Sequence, residues 1–309
     1  MLDSTDTLKT DNRQIHTLQP MGLGGILDAT LSLYRENLRL FLGIATIYFV
    51  LIALQEGIVV FLLERSSTPS FDNFISDVDS VSDTFIYMLV VGVSVVASSE
   101  VYLGRRVTIQ RAFRSFSSRF FGYLGATLIY LALYLISTLT SMDSIKASRG
   151  MSVLMFFSFP FVLYYLIGWI FYGPVILNEK WTTGQSLERS KILVRGTWGR
   201  IFGIVIAILL LDVAMYYILG NSVGVVLALS GIVGDGSIME TIGDLFSLRY
   251  TDLRPTSLET LIMYIVYLGA EAFTLPIYAI GVTLLYFDVR IRKEGFDIEM
   301  RVRNSQDLM

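Results

Sequence analysis

Residues 258–287, LETLIMYIVYLGAEAFTLPIYAIGVTLLYF, decide the fold. A bilayer core about 30 Å thick is crossed by roughly 20 mostly apolar residues of helix. This stretch exceeds that length while carrying two acids, Glu259 and Glu271, and no base. Lipid offers no partner to backbone N–H and C=O groups, so such a run is helical, and it lacks the alternation that a membrane barrel requires. Outward from it, five further stretches of the same kind lie near residues 40–63, 84–104, 120–141, 151–177 and 201–219. The fold class is therefore all-α integral membrane, a bundle of six transmembrane helices. Residues 221–233, NSVGVVLALSGIV, are too short and glycine-broken for another span and read as a helix extension or an outer re-entrant segment.

Composition agrees. Of 309 residues, 53% are hydrophobic and 17% charged, and the mean hydropathy is +0.61, outside soluble averages. A net charge of −3 gives no basic field for nucleic acid. The absence of cysteine removes disulfides, thiolate nucleophiles and cysteine metal sites, and a single histidine, His16, argues against a histidine-ligated metal. No cofactor is implied. The first 20 residues lack a basic start followed by an apolar core, so they read as a polar cytoplasmic tail rather than a cleavable signal.

Positive charge orients the spans. Lys9, Arg13, Arg35, Arg39, Arg105, Arg106, Arg111, Arg114, Arg119, Lys180, Arg189, Lys191, Arg195, Arg200, Arg290, Arg292, Lys293, Arg301 and Arg303 share one side, 19 of the 24 bases. Arg65, Lys146, Arg149, Arg249 and Arg254 fall on the other, among acids such as Asp72, Asp77, Asp79, Asp83, Asp235, Glu240 and Asp244. Both termini are then cytoplasmic: residues 1–20 and 290–309 are tails, and residues 21–289 a single membrane domain.

Three windows align without gaps: LDATLSLYRENLRLFLGI from Leu27, IQRAFRSFSSRFFGYLGA from Ile109 and LERSKILVRGTWGRIFGI from Leu187. Each places a glycine 16 residues on, at Gly43, Gly125 and Gly203. Columns apolar in all three include Leu27/Ile109/Leu187, Tyr34/Phe116/Val194, Leu38/Phe120/Trp198 and Phe41/Tyr123/Ile201, one face of a helix. Each window reads as an Arg-bearing amphipathic helix in the inner interface that feeds a transmembrane hairpin. The units span about residues 21–104, 105–178 and 179–289, and all three face the same way.

GGILDATLSLYRENLRLFLGIA near the start, LERSKILVRGTWGRIFGI and the closing LLYFDVRIRKEGFDIEM together resemble the membrane domain attached to some bacterial glycerophosphoryl diester phosphodiesterases and to related prokaryotic membrane proteins. The likeness covers roughly residues 20–300, and the run Arg292 to Phe296 is its most specific part. It implies the cytoplasmic membrane of a prokaryote and a membrane module without the esterase chemistry, which in fused members belongs to a separate soluble barrel. No catalytic residue carries over.

Glu56, Asp212 and Glu271 sit inside apolar stretches with no base at comparable depth. A carboxylate there costs several kcal/mol unless solvated, paired or protonated, which makes such residues functional candidates. Counted inward at about 1.5 Å per residue, Glu56 and Glu271 lie about 24 Å and Asp212 about 18 Å from the inner ends of their spans, so the three can share one layer. Pro160 and Pro276 would free carbonyls and kink the fourth and sixth spans. Pro276 lies five residues from Glu271, which makes the sixth span the first place to look for a site. Gly220 and Gly224 suggest close helix packing.

Glu100, beside Arg105 and Arg106, reads as an interfacial acid whose charge snorkels. The basic set Arg105, Arg106, Arg111, Arg114 and Arg119 suits anionic lipid headgroups, or topology alone. Asp72, Asp77, Asp79 and Asp83 lack the glycine and terminal glutamate of an EF-hand and read as a solvated loop. GLGG at 22–25 follows no strand, so it is a turn and not a nucleotide fingerprint.

The chain thus reads as a noncatalytic membrane module that anchors or organises partners or lipids. The alternative is a transporter, channel or lipid-handling protein that uses the intramembrane carboxylates. Membrane lipids are the expected partners, together with a protein partner or a second copy of the chain.

Overall fold

The computed structural model describes residues 19–65, 68–139, 160–232 and 258–306. Residues 1–18, residues 151–159 of the fourth apolar stretch, and Lys146, Arg149, Asp235, Glu240, Asp244, Arg249 and Arg254 lie outside them. Among the described residues the chain is helical, with no strand. In chain order the helices are α1 (Leu23–Glu36), α2 (Leu38–Glu64), α3 (Pro69–Tyr102), α4 (Ile109–Ser117) and α5 (Phe120–Leu139). They continue as α6 (Pro160–Glu179), α7 (Thr183–Val194), α8 (Trp198–Leu229), α9 (Leu258–Glu294) and α10 (Phe296–Gln306).

Five of these, α2, α3, α6, α8 and α9, are long and apolar enough to cross a membrane. Helix α5 has 20 residues, and Phe120–Ala132 forms a shorter apolar segment within it. The most apolar window of α9 is 67% buried, against 17% for α2 and 22% for α8. Helix α9 is thus the core strut, packed on α8, α3, α1 and α2. The outer faces of α2 and α8 expose Leu54, Ile58, Phe61, Leu210, Ile218 and Val226. That run of apolar surface exceeds what a soluble monomer shows and suits a bilayer.

Each of α1, α4 and α7 is short and leads through a one- to three-residue break into a long apolar helix. Helix α1 buries Ile26, Thr30, Leu33 and Tyr34, a single stripe at helical spacing. Helix α4 starts on Thr108, whose hydroxyl accepts from the Arg111 N–H, and buries Ala112 and Phe116. Helix α7 starts with a capping box in which Gln185 reaches back to Thr182.

Three sequence expectations change. GLGG at 22–25 is not a turn, because α1 begins at Leu23 with Gly22 as its N-cap. Residues 72–83 are not a loop: α3 begins at Pro69, where a proline costs no hydrogen bond, so this acidic run belongs to the helix. Pro276 does not interrupt its span, because α9 is continuous from Leu258 to Glu294. Pro160 opens the described part of α6, so the turn before it lies outside the described residues; a break in the helix falls at Trp169–Phe171, just before Pro174. Pro174 has no N–H to give the Ile170 carbonyl, and its ring crowds that oxygen. Residues 221–229 simply extend α8. Gly231, at φ +67°, stops it: the Gly231 N–H donates to Ala228 O and the Ile232 N–H to Leu227 O, each at 3.0 Å.

The Arg-bearing ends of the helices are tied together by buried acids. Asp288 is fully buried. It accepts from Arg200 Nη2 and the Met21 N–H, each at 2.7 Å, and from Arg292 Nε at 3.1 Å. Arg200 and Arg292 also donate to the Met21 carbonyl, at 3.0 and 2.8 Å. This network pins the entry to α1 onto α8 and α9. Glu179 accepts from Tyr286 Oη at 2.6 Å and from Arg189 Nε at 3.0 Å, which fixes α6 to α9 and α7.

Candidate functional site

Between the helices lies a cavity of about 810 Å³, within the range of small-molecule sites. Nine tyrosines line it: Tyr48 on α2, Tyr87 on α3, Tyr123 and Tyr130 on α5, Tyr172 on α6, Tyr216 on α8, and Tyr264, Tyr267 and Tyr278 on α9. Among the described residues, the charged groups in the lining are Asp83 and Glu271, with no lysine or arginine. Leucines such as Leu131, Leu166 and Leu209 complete the wall.

Glu271 is where the sequence directs attention, on α9, and Tyr48 Oη donates to its Oε1 at 2.7 Å. Asp212, on α8, lies within electrostatic range of Glu271 and of the cavity tyrosines Tyr87 and Tyr278. Its Oδ1 is buried without a hydrogen-bond partner. Glu56 does not line the cavity, but Tyr264, which does, lies in its field together with those of Asp83, Glu271 and Asp79. Pro276 is buried in α9 away from the cavity wall. Of the three acids singled out by depth, Glu271 lines the cavity, while Asp212 and Glu56 act on tyrosines that do.

Sequence reasoning missed two parts of the site. Asp83 belongs to the run that reads as a loop, yet α3 carries it to the cavity, where Gln55 Nε2 donates to its Oδ1 at 2.6 Å and to Asp79 Oδ1 at 2.9 Å. The tyrosines were also legible in principle. Tyrosine concentrates at the two interfaces of ordinary membrane helices, whereas Tyr48, Tyr130 and Tyr267 fall well inside apolar runs.

The tyrosines fall into two groups. Some are tied: Tyr123 Oη donates to the Met88 carbonyl at 3.0 Å, Tyr172 Oη shares a bond with Thr127 Oγ1 at 3.1 Å, and Tyr267 Oη donates to Asn221 Oδ1 at 2.8 Å. Others are not: among the described residues, the hydroxyls of Tyr87, Tyr130, Tyr264 and Tyr278 make no hydrogen bond. Tyr87, Tyr130 and Tyr278 lie deep in the protein yet keep accessible surface, and the cavity supplies it. These four hydroxyls give the cavity wall groups that can donate to, or accept from, a molecule in it. Gly220 brings the wall together: a Cβ there would lie 2.6 Å from the Tyr267 ring. Gly224, one turn on, is buried as well.

The basic set is spread over a corner of the fold. Gly104, at φ +74°, turns the chain after α3. Arg105 then pairs with Glu100 at 3.2 Å, and Arg111 Nη1 donates to the Arg106 carbonyl at 3.1 Å. Arg106 and Arg114 are exposed. Arg119 turns inward: its Nη1 donates to the carbonyls of Ile176 and Leu177 at the end of α6, where a cation complements the helix dipole. Burial lowers its pKa. A second hollow of about 520 Å³ beside it is lined by Arg105, Arg119, Lys180 and Arg290, and equally by Glu100, Glu179 and Glu299. Charges of both signs meet there and largely satisfy one another.

Comparison with protein-family models, with characterised proteins and with solved structures gives no match for this chain.

Proposed function

We propose that the protein is a six-span membrane protein that holds a small organic molecule in the tyrosine-lined cavity, as part of moving or presenting it. The observation that carries this reading is the cavity itself, with two carboxylates and four unbonded phenols facing it. This is the alternative that the intramembrane acids raised in the sequence, and the convergence of Glu271, Asp212 and Asp83 on one region favours it.

The same reading takes the chain as three like units, with α5 as the sixth span and both termini on the cytoplasmic side. Several features support the repeat. Tyr34, Phe116 and Val194, in equivalent positions, are all buried, and so are Phe41, Tyr123 and Ile201. A Cβ on Gly43 would collide with Ile109 at the start of α4, and one on Gly125 would lie 3.0 Å from Thr183 at the start of α7. In both cases the shared glycine makes room for the first turn of the next unit's short helix. The third glycine, Gly203, meets nothing within 4 Å, but Arg200, three residues before it, donates to the Met21 carbonyl ahead of α1.

A second reading is that of an anchoring module for protein partners or anionic lipids. It is supported by the resemblance to phosphodiesterase-associated membrane domains, by the exposed Arg106 and Arg114, and by Ile298 and Val302 exposed on α10.

The test compares small molecules retained by the purified protein with those retained by Leu131→Trp and Leu209→Trp, which put bulk into the cavity. One compound held by the wild type and lost from both variants is the expected result in quantitative mass spectrometry. No retained compound, or equal retention by all three, would sink the proposal.

A further inference from the structure

The occupant's chemical class follows from the sign and the shape of the wall. We infer that the cavity takes an organic cation, an amine or quaternary ammonium carried on an apolar body. This rests on the cavity being a binding site, and it adds the charge of the ligand.

Electrostatics fix the sign. Asp83 and Glu271 are in the wall. The ionisable groups within range of Tyr264 are Glu56, Asp83, Glu271 and Asp79, and those near Tyr87 are Asp212, Glu271 and Tyr172. Among the described residues, the formal charges within range of these two phenols are those of carboxylates. A field of that sign favours a positive guest and disfavours an anion.

The wall decides what kind of cation. Among the described residues, no three acids come together closely enough to cage a metal ion, and a hard cation needs six or more oxygens. The wall instead includes nine phenol rings, and the face of such a ring is the surface that attracts alkylammonium groups in aromatic cages. The free hydroxyls of Tyr87 and Tyr130 can accept from an N–H or give an O–H, so they suit either kind of ammonium. Leu131, Leu166 and Leu209 provide the apolar side against which a hydrocarbon body packs.

Matched probes test the charge directly. Phenyltrimethylammonium, its neutral carbon isostere tert-butylbenzene, and benzenesulfonate would be titrated against the full chain in lipid nanodiscs, with Leu209→Trp as the blank. The ammonium should bind about tenfold or more tighter than the isostere, and the sulfonate should show no binding above the blank. Glu271→Gln and Asp83→Asn should each weaken the ammonium and leave the isostere unchanged. Equal binding of ammonium and isostere by the wild type would overturn the cationic assignment while leaving the cavity as a binding site, whatever the variants do. No probe binding above the blank would overturn both.

Discussion

Asp288 offers the sharpest test of how the helix ends are held. Its carboxylate is fully buried on α9, with Arg200 at 2.7 Å and Arg292 at 3.1 Å. Asp288→Asn keeps the shape and an acceptor for the Met21 N–H but removes the charge that both guanidiniums face. Deleting one partner of a fully buried pair costs about 3–5 kcal/mol. Here the arginine side chains keep 31% and 40% of their surface, so water recovers part of the loss, and we expect about 2–3 kcal/mol. At about 2–4 °C per kcal/mol, the thermal midpoint in a fixed detergent should fall by about 5–10 °C. Arg292→Gln removes the more exposed partner and should cost about 1 kcal/mol or less. In a double-mutant cycle, Asp288→Asn and Arg200→Gln should couple by about 1 kcal/mol or more. A midpoint for Asp288→Asn within 1 °C of the wild type would refute the reasoning, since the carboxylate would then be contributing nothing net to the clasp.

Two further outcomes follow from packing and topology. Gly220→Ala should destabilise by about 1–3 kcal/mol, because its methyl would lie 2.6 Å from the Tyr267 ring. Gly57→Ala, with nothing within 4 Å, should instead stabilise by about 0.5–1 kcal/mol, and equal midpoints for the two variants would contradict the packing. The chain has no cysteine, so single cysteines at the exposed Ser80 and Ser118 can be labelled in intact cells. An impermeant reagent should reach Ser80→Cys from outside and leave Ser118→Cys unlabelled until the cells are opened; the reverse pattern would invert the topology.

The depth of acids within apolar runs was legible before any coordinates, because a charge in lipid is costly wherever it stands. Glu271 and Asp212 were identifiable on that ground alone, and they lie near one another. Asp83 was not: four aspartates between Asp72 and Asp83 make a polar stretch, and polarity alone does not distinguish a solvated loop from the outer turns of a long helix. Pro276 misled in the opposite way, since a proline removes one hydrogen bond but α9, packed by neighbours on several sides, stays helical through it. The break at Pro174 was equally visible as a residue and equally mute as to effect.

The sequence by itself determined the helical class, the apolar lengths, the bias of positive charge and the short Arg-bearing helices before α2, α5 and α8. These depend on local hydrogen bonding and on the cost of moving each residue between water and lipid, which composition and period carry. Tertiary structure alone decided that nine tyrosines from six helices face one cavity, that Arg119 caps a helix instead of facing outward, and that Asp288 clasps Met21 across 267 positions of chain. Those facts depend on helix rotation and depth, which are set by packing at Gly220, Gly281 and similar close contacts, and a linear pattern does not encode which apolar face meets which.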